Sequence, residues 1–347
     1  MDYKNVLKEL VGIPAVSGFE NVSGARIKSL MVGKCDEIMI DSFYNVIGLK
    51  KGNGDNRKKI MISAHYDEIG FLVKSIDDKG FIKLTSMGGF DPKILLAQEV
   101  LIHGTREIEG IIGAKPPHLL TPEETKTAVK LVDLSVDTGM EASEVKKIVS
   151  IGDIVTLKVP FLELQGGKVS TKSLDNRSGV AATIGIMNEL NDKTLKNDIY
   201  FVATTQEEVG LRGAEVSSYN IDPDIAIVID ACHGDMPDCS KDFTYPLGKG
   251  PAIGIGPNLH KKLTKKLFDI AKRNGVLCQT DVEPGNTGTE AWAIQVSRSG
   301  VPTALISIPL RYMHTGTETL DIADIESSVK LVSLFLAALD DEMEETV

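Results

Sequence analysis

Cysteine is scarce and scattered. Cys35, Cys232, Cys239 and Cys278 are the only four in 347 residues, and none belongs to a CxxC pair. This excludes a disulfide framework and fits reduced thiols in a cytosolic setting. Lysine and arginine, 38 together, are outnumbered by 49 aspartates and glutamates, giving a formal charge of -11. A surface of that sign repels nucleic acid and anionic lipid. No apolar run approaches the roughly 20 residues of a membrane span, and the opening MDYKNVLKELVGIPAVSG lacks a charged-then-apolar leader pattern. The expectation is therefore a cytoplasmic protein with no nucleic-acid or membrane partner. Aromatics are thin, at 5% with Trp292 the lone tryptophan. There is no internal repeat and no low-complexity linker.

What is present reads as two textures. Apolar strands alternate with helical spacing up to His65 and again from Leu174 onward, which predicts an α/β fold with a mostly parallel, mixed sheet flanked by helices. Between them lie short strands with glycine punctuation, including the hairpin GFLVKSIDDKGFIKLTS turning at DDKG. They suggest a small β-barrel-like domain inserted at 69–168, so that 1–68 and 169–347 form a discontinuous catalytic domain. Within the insert, Thr121 and Glu124 have capping-box spacing and predict the start of a helix. Gly275 is placed to end a lysine-rich helix.

The chemistry gathers at strand ends. KIMISAH stops at His65, YFVATTQEE at Glu207 and Glu208, IAIVID at Asp230, and ALISIPLRYMH at His314. Ligands of open α/β sheets bind outside the carboxyl ends of strands, so four strands deliver these groups to one rim. Asp175 opens the next helix, where an N-cap role competes with ligation. Two histidines and three carboxylates suit zinc or cobalt, and five ligands suit two divalent ions sharing a carboxylate better than one. Asp67 follows His65 at a spacing that lets it support the imidazole. Of the adjacent glutamates, Glu208 reads as a ligand and Glu207 as the base that takes a proton from water.

The strings SAHYDEIG, KSLDNRSG, TTQEEVGLRGA, IVIDA and RYMHTGTET, in that order along the whole chain, resemble the tetrahedral (TET) and glutamyl aminopeptidases of the dinuclear-metal peptidase clan MH, some of which carry an endoglucanase label. The resemblance implies one metal on His65, Asp175 and Asp230 and a second on Asp175, Glu208 and His314. Asp175 would bridge, Glu207 would act as proton acceptor and Asp67 as support. It also implies a cis bond after Asp175, a dimerisation role for the insert, peptide substrates, and self-association into dimers and a dodecamer. Glu290 stands where many relatives have aspartate, in a stretch that neighbours the family's substrate pocket.

Two other activities share parts of this pattern. A glycoside hydrolase also needs two carboxylates, but flanking its sugar rather than adjacent in sequence, and cellulose binding calls for more aromatics. A clan-related carboxypeptidase or deacylase would need a cation for a terminal carboxylate. Of the remaining residues, His103 reads as structural, His118 as a loop residue, His233 as a pocket neighbour, His260 as solvated, and Trp292 and Cys232 as buried.

Overall fold

The computed structural model describes residues 1–346, with side chains through Asp340. Its main sheet has eight strands, in the order Glu37–Ile40, Val46–Lys50, Asp198–Thr204, Lys59–His65, Ile225–His233, Thr303–Leu310, Ala252–Ile255 and Gln279–Val282. The four central strands run parallel. Antiparallel pairing of Val46–Lys50 and of Ala252–Ile255 with their inner neighbours makes the sheet mixed.

The central strands are apolar on both faces, as a sheet covered on both sides requires. Ile60, Ile62, Ile225, Ile227 and Ile229 point into the larger core, packed by the helices Tyr3–Val11, Leu174–Leu190, Lys261–Asn274 and Ile322–Thr346. Met61, Ala226 and Val228 point the other way, against Arg212–Ile221 and Ala291–Ile294. Gly275 ends its helix at φ 62°, a left-handed conformation that costs glycine little, and its N–H closes on Ala271 and Lys272.

Past His65 the chain enters a closed barrel. Its strands, in spatial order, are Gly70–Ile76, Ile82–Met87, Ser135–Asp137, Glu107–Gly113, Glu99–His103 and Ile154–Leu157. Closure removes the exposed edges that short strands would otherwise offer. The barrel has a core of its own around Phe71, Val73, Val100, Ile102 and Val155. His103 is part of its wall, bonded to Glu107 at 3.0 Å and Thr156 at 2.9 Å. The helix expected at Thr121 does not develop. Thr121 and Glu124 do exchange the capping-box bonds, at 2.6 and 3.2 Å, but only the single turn Glu124–Lys126 follows. That run is exposed, so no apolar face rewards further turns.

Candidate metal centre

The strand Lys59–His65 ends at His65 beside Thr204, the last residue of its parallel neighbour. Because that neighbour stops at Thr204, the next residues leave the pleat, and Glu207 and Glu208 are freed from pointing to opposite faces. Their turn is held by buried carboxylates. Glu20 accepts from the N–H of Gln206 at 3.1 Å, and Asp67 accepts from the N–H groups of Glu207 and Glu208 at 3.1 and 3.3 Å. The Ser17 hydroxyl donates to Asp67 at 2.6 Å. Asp67 Oδ1 lies 3.5 Å from His65 Nδ1, and that nitrogen has no hydrogen-bond partner. The main structural task of Asp67 is thus the glutamate turn, with the imidazole second.

Asp175 is not a helix cap. Asn176 does that work, its Oδ1 accepting from the N–H of Gly179 at 3.0 Å. The Asp175–Asn176 peptide is cis. Glu318 ties this segment to the opposite histidine, accepting from the N–H of Asp175 at 3.1 Å and from that of His314 at 2.8 Å. Ser17, Glu20 and Glu318 escaped the sequence reading. Only the E in RYMHTGTET offered a signal for the last of them.

The five side chains meet. His65 Nε2 is 3.3 Å from Asp175 Oδ1 and 3.6 Å from Asp230 Oδ1. His314 Nε2 is 3.5 Å from Asp175 Oδ2 and 3.3 Å from Glu208 Oε2. Glu207 stands slightly back, 3.9 Å from His65. Potential ligand atoms of His65, Glu207 and Asp230 lie within 4.8 Å of one another, as do those of His65, Asp175 and Glu208. Tetrahedral zinc bonds of about 2.0–2.2 Å place neighbouring donors roughly 3.3–3.6 Å apart. All four histidine–carboxylate separations fall in that interval, beyond the best range for a direct hydrogen bond. The donor set fits divalent ions.

Electrostatics agree with the distances. Burial opposes a charged His65, yet Glu207, Asp175, Asp230 and Asp67 hold its pKa well above 6.5. The nearby carboxylates of Asp175 and Glu208 raise His314 to about 11. Burial drives Glu207 up to about 10 and raises Glu208 and Asp230 as well. Asp175 is also buried, but the two histidines hold it below the usual carboxylate range. Such a crowd retains protons unless cations take their place.

A cavity of about 880 Å³ opens from this cluster. Trp292, 40% exposed, lines it and is not a core residue. Cys232 lines it too but is half-buried, and burial pushes its thiol well above the usual value, the inert state expected of it. His233 also lines it. His260 is only partly exposed, with Nδ1 buried against its helix start, and burial lowers its pKa. His118 is exposed on its loop and Arg212 is exposed with a bond to Gln206 at 3.4 Å; neither lines the cavity. Glu290 is fully buried beneath the cluster rather than in the wall, accepting from the hydroxyls of Ser63 and Thr204 on the two strands that carry His65 and the glutamate turn. The barrel reaches the site at Gly88 and Gly89. A Cβ on Gly89 would come 3.2 Å from His314 Nδ1, and one on Gly88 would press on Ile69 at 2.5 Å.

The family model of the M42 glutamyl aminopeptidases matches residues 45–331, a span that contains the whole cluster. The chain belongs to this family. Among M42 and related proteins, it is 35% identical to the lysyl aminopeptidase of Pyrococcus furiosus, over 96% of each chain. The TET aminopeptidase from the marine sediment archaeon Thaumarchaeota archaeon SCGC AB-539-E09 superposes with a TM-score of 0.93 at 32% identity, over 99% of this chain and 98% of that one. The TET1 peptidase of Pyrococcus horikoshii, which can assemble into a tetrahedron or a large octahedral shell, superposes at 0.85 with 33% identity, over 97% and 99%. The M42 assignment makes the cavity that of an aminopeptidase-type hydrolase. Among the described residues, no helix is long and apolar enough to cross a membrane.

Proposed function

We propose that this chain is a dinuclear metallo-aminopeptidase, cutting the first residue from peptides. One observation carries the reading: Asp175 turns one carboxylate oxygen toward His65 and the other toward His314, so a single residue faces two potential ion sites. His65, Asp175 and Asp230 would hold one divalent ion, and Asp175, Glu208 and His314 the other, zinc or cobalt in either case. When bound, such ions supply Lewis acidity toward the scissile carbonyl and make water more acidic.

The rest falls to side chains. Glu207 lies against the cluster but farther from His65 than Asp175 or Asp230, as a base beside an ion should. It takes the proton from the attacking water and returns it to the departing amine. Asp67, Ser17 and Glu20 fix the turn from which Glu207 projects. The acidic lining attracts the substrate's free α-amine, which confines cleavage to the first residue. The barrel, with 69–168 as its boundaries, would serve dimerisation. Dimers would build toward a dodecamer in the cytoplasm, supported by likeness to a TET1 peptidase that forms closed shells.

The test is metal removal and return. Chelated protein should lose activity on an aminoacyl p-nitroanilide and regain it when two equivalents of zinc or cobalt are restored per chain. The N-acetylated anilide should stay intact throughout. Activity that survives complete chelation, or equal cleavage of the blocked substrate, would overturn the assignment.

A further inference from the structure

The cavity does not end at the five-residue cluster. Beyond Asp230 its floor passes Ala231 and Cys232 and meets a far wall made by Tyr245, Asp281 and Glu283. Asp242 and Glu215 also line it, and among the described residues no lysine or arginine does. Arg212, beside the lining residue Leu211, is exposed and donates to Gln206 at 3.4 Å, outside the lining. Arg311 binds Asp235 at 2.5 Å, and Arg298 donates to the Tyr219 carbonyl at 2.6 Å while stacking on its ring.

The charge balance is therefore one-sided. Ionised together, Asp175, Glu207, Glu208 and Asp230 would carry four negative charges, which two divalent ions would match. Glu215, Asp242, Asp281 and Glu283 remain without a basic partner in the lining. Asp281 is 6% exposed and fixed by the hydroxyl of Tyr245, so it cannot swing out to water. Glu283, two residues on, is crowded against it: burial, then the charge of Asp281, raises Glu283 to about 7. In a partly desolvated cavity a charge match or mismatch discriminates strongly between substrates.

The span matters as well. The strand carrying Asp281 lies three places from the one carrying Asp230. At the usual strand spacing this is roughly 14 Å, a gap that only a long side chain anchored at the cluster can approach. Phe243, Trp292 and Met313 offer apolar surface along the way, suited to an aliphatic stem with a charged tip.

We propose that this cavity selects lysine or arginine as the first residue of its peptide, with Asp281 and Glu283, braced by Tyr245, receiving the cationic end. The proposal rests on the aminopeptidase reading above and adds the substrate class to it. An acidic first residue is disfavoured by the same wall.

The experiment uses the full chain loaded with zinc or cobalt and the p-nitroanilides of lysine, arginine, leucine and glutamate. Lysyl or arginyl anilide should exceed leucyl at least tenfold in kcat/KM, with glutamyl lowest. The lysyl-over-leucyl ratio should fall at least tenfold in Asp281→Asn/Glu283→Gln, chiefly through KM for lysyl. It should also shrink with added salt in the unaltered protein, so a variant that fails to fold leaves the question decided. A preference for leucyl or glutamyl anilide, or a ratio unmoved in the folded variant, would overturn this selection while leaving the aminopeptidase reading intact. Failure to cleave any anilide would overturn both.

Discussion

Replacing Glu207 by glutamine separates its two conceivable roles. The change swaps one carboxylate oxygen for an amide nitrogen and keeps the shape. Without ions, burial pushes the Glu207 carboxyl up to about 10, so the folded protein already holds it neutral near pH 7, and glutamine is a close match for that form. Folding should be little affected. Catalysis should suffer badly, since a positioned acid–base group contributes about 10²–10⁴-fold. In the proposed mechanism one carboxylate would both accept the proton of water and return it to the leaving amine, which places the expected loss toward 10⁴-fold, about 5.4 kcal/mol at 1.36 kcal/mol per tenfold. The assay is kcat on a lysyl anilide beside ion content by mass spectrometry and a thermal melt. The expected variant melts like the parent, holds two ions per chain and turns over about 10⁴-fold more slowly. A rate within tenfold of the parent refutes the base assignment. Loss of one ion per chain would instead make Glu207 a ligand, in the grouping it shares with His65 and Asp230.

Asp67→Asn removes the charge that receives the N–H groups of Glu207 and Glu208; activity should drop about 10–100-fold with ion affinity weakened, as for other groups that orient ligands, and unchanged kinetics would contradict that role. Chelation should lower the melting temperature as well as the activity, because ions bound only by the folded chain contribute about 2.7 kcal/mol at a hundredfold excess over Kd; coincident melts with and without chelator would count against a folded-state metal centre. Glu20 is fully buried, with Oε2 unpartnered, and burial raises its pKa from 4.5 to about 7. The proton it prefers to keep stabilises the fold below about pH 4.5, and that benefit fades between 4.5 and 7. Glu20→Gln should therefore match the parent near pH 4.5 and exceed it by about 1–3 kcal/mol at pH 8, with urea melts at both values as the check; an advantage confined to acid pH would reverse the sign.

The parts of this protein most legible in sequence are those where one residue breaks a pattern. An apolar strand that stops at His65 or Asp230 announces its own end, and the sheet then determines which rim receives it. The alternation of Ile60, Met61 and Ile62 between two cores is likewise visible as an unbroken apolar run. The barrel was readable from glycine-punctuated strands. What stayed hidden depends on the third dimension. Glu318 matters because its two oxygens hold the N–H groups of Asp175 and His314, residues far apart in the chain until the sheet brings them together. Ser17 and Glu20 lie in an unremarkable loop and gain their roles only by packing under residues 206–208. Trp292 looked like core because tryptophan is large and apolar, yet its short helix sits at a cavity wall, where one face stays wet. The turn at Thr121 had correct capping chemistry but nothing to pack against.

The glycine pair at 88 and 89 has a bearing on how this enzyme can be taken apart. Two hydrophobic cores are built from separate stretches of chain, yet the loop after the barrel's second strand lies so close to the His314 imidazole that position 89 has little room for even a methyl group. The barrel, which contributes neither a candidate ligand nor a residue of the cavity lining, thus packs directly against one of the two candidate histidines. Excising the barrel, or splicing in a foreign one, would strip one side of the His314 imidazole of its packing while leaving the Glu318 tether to its backbone in place.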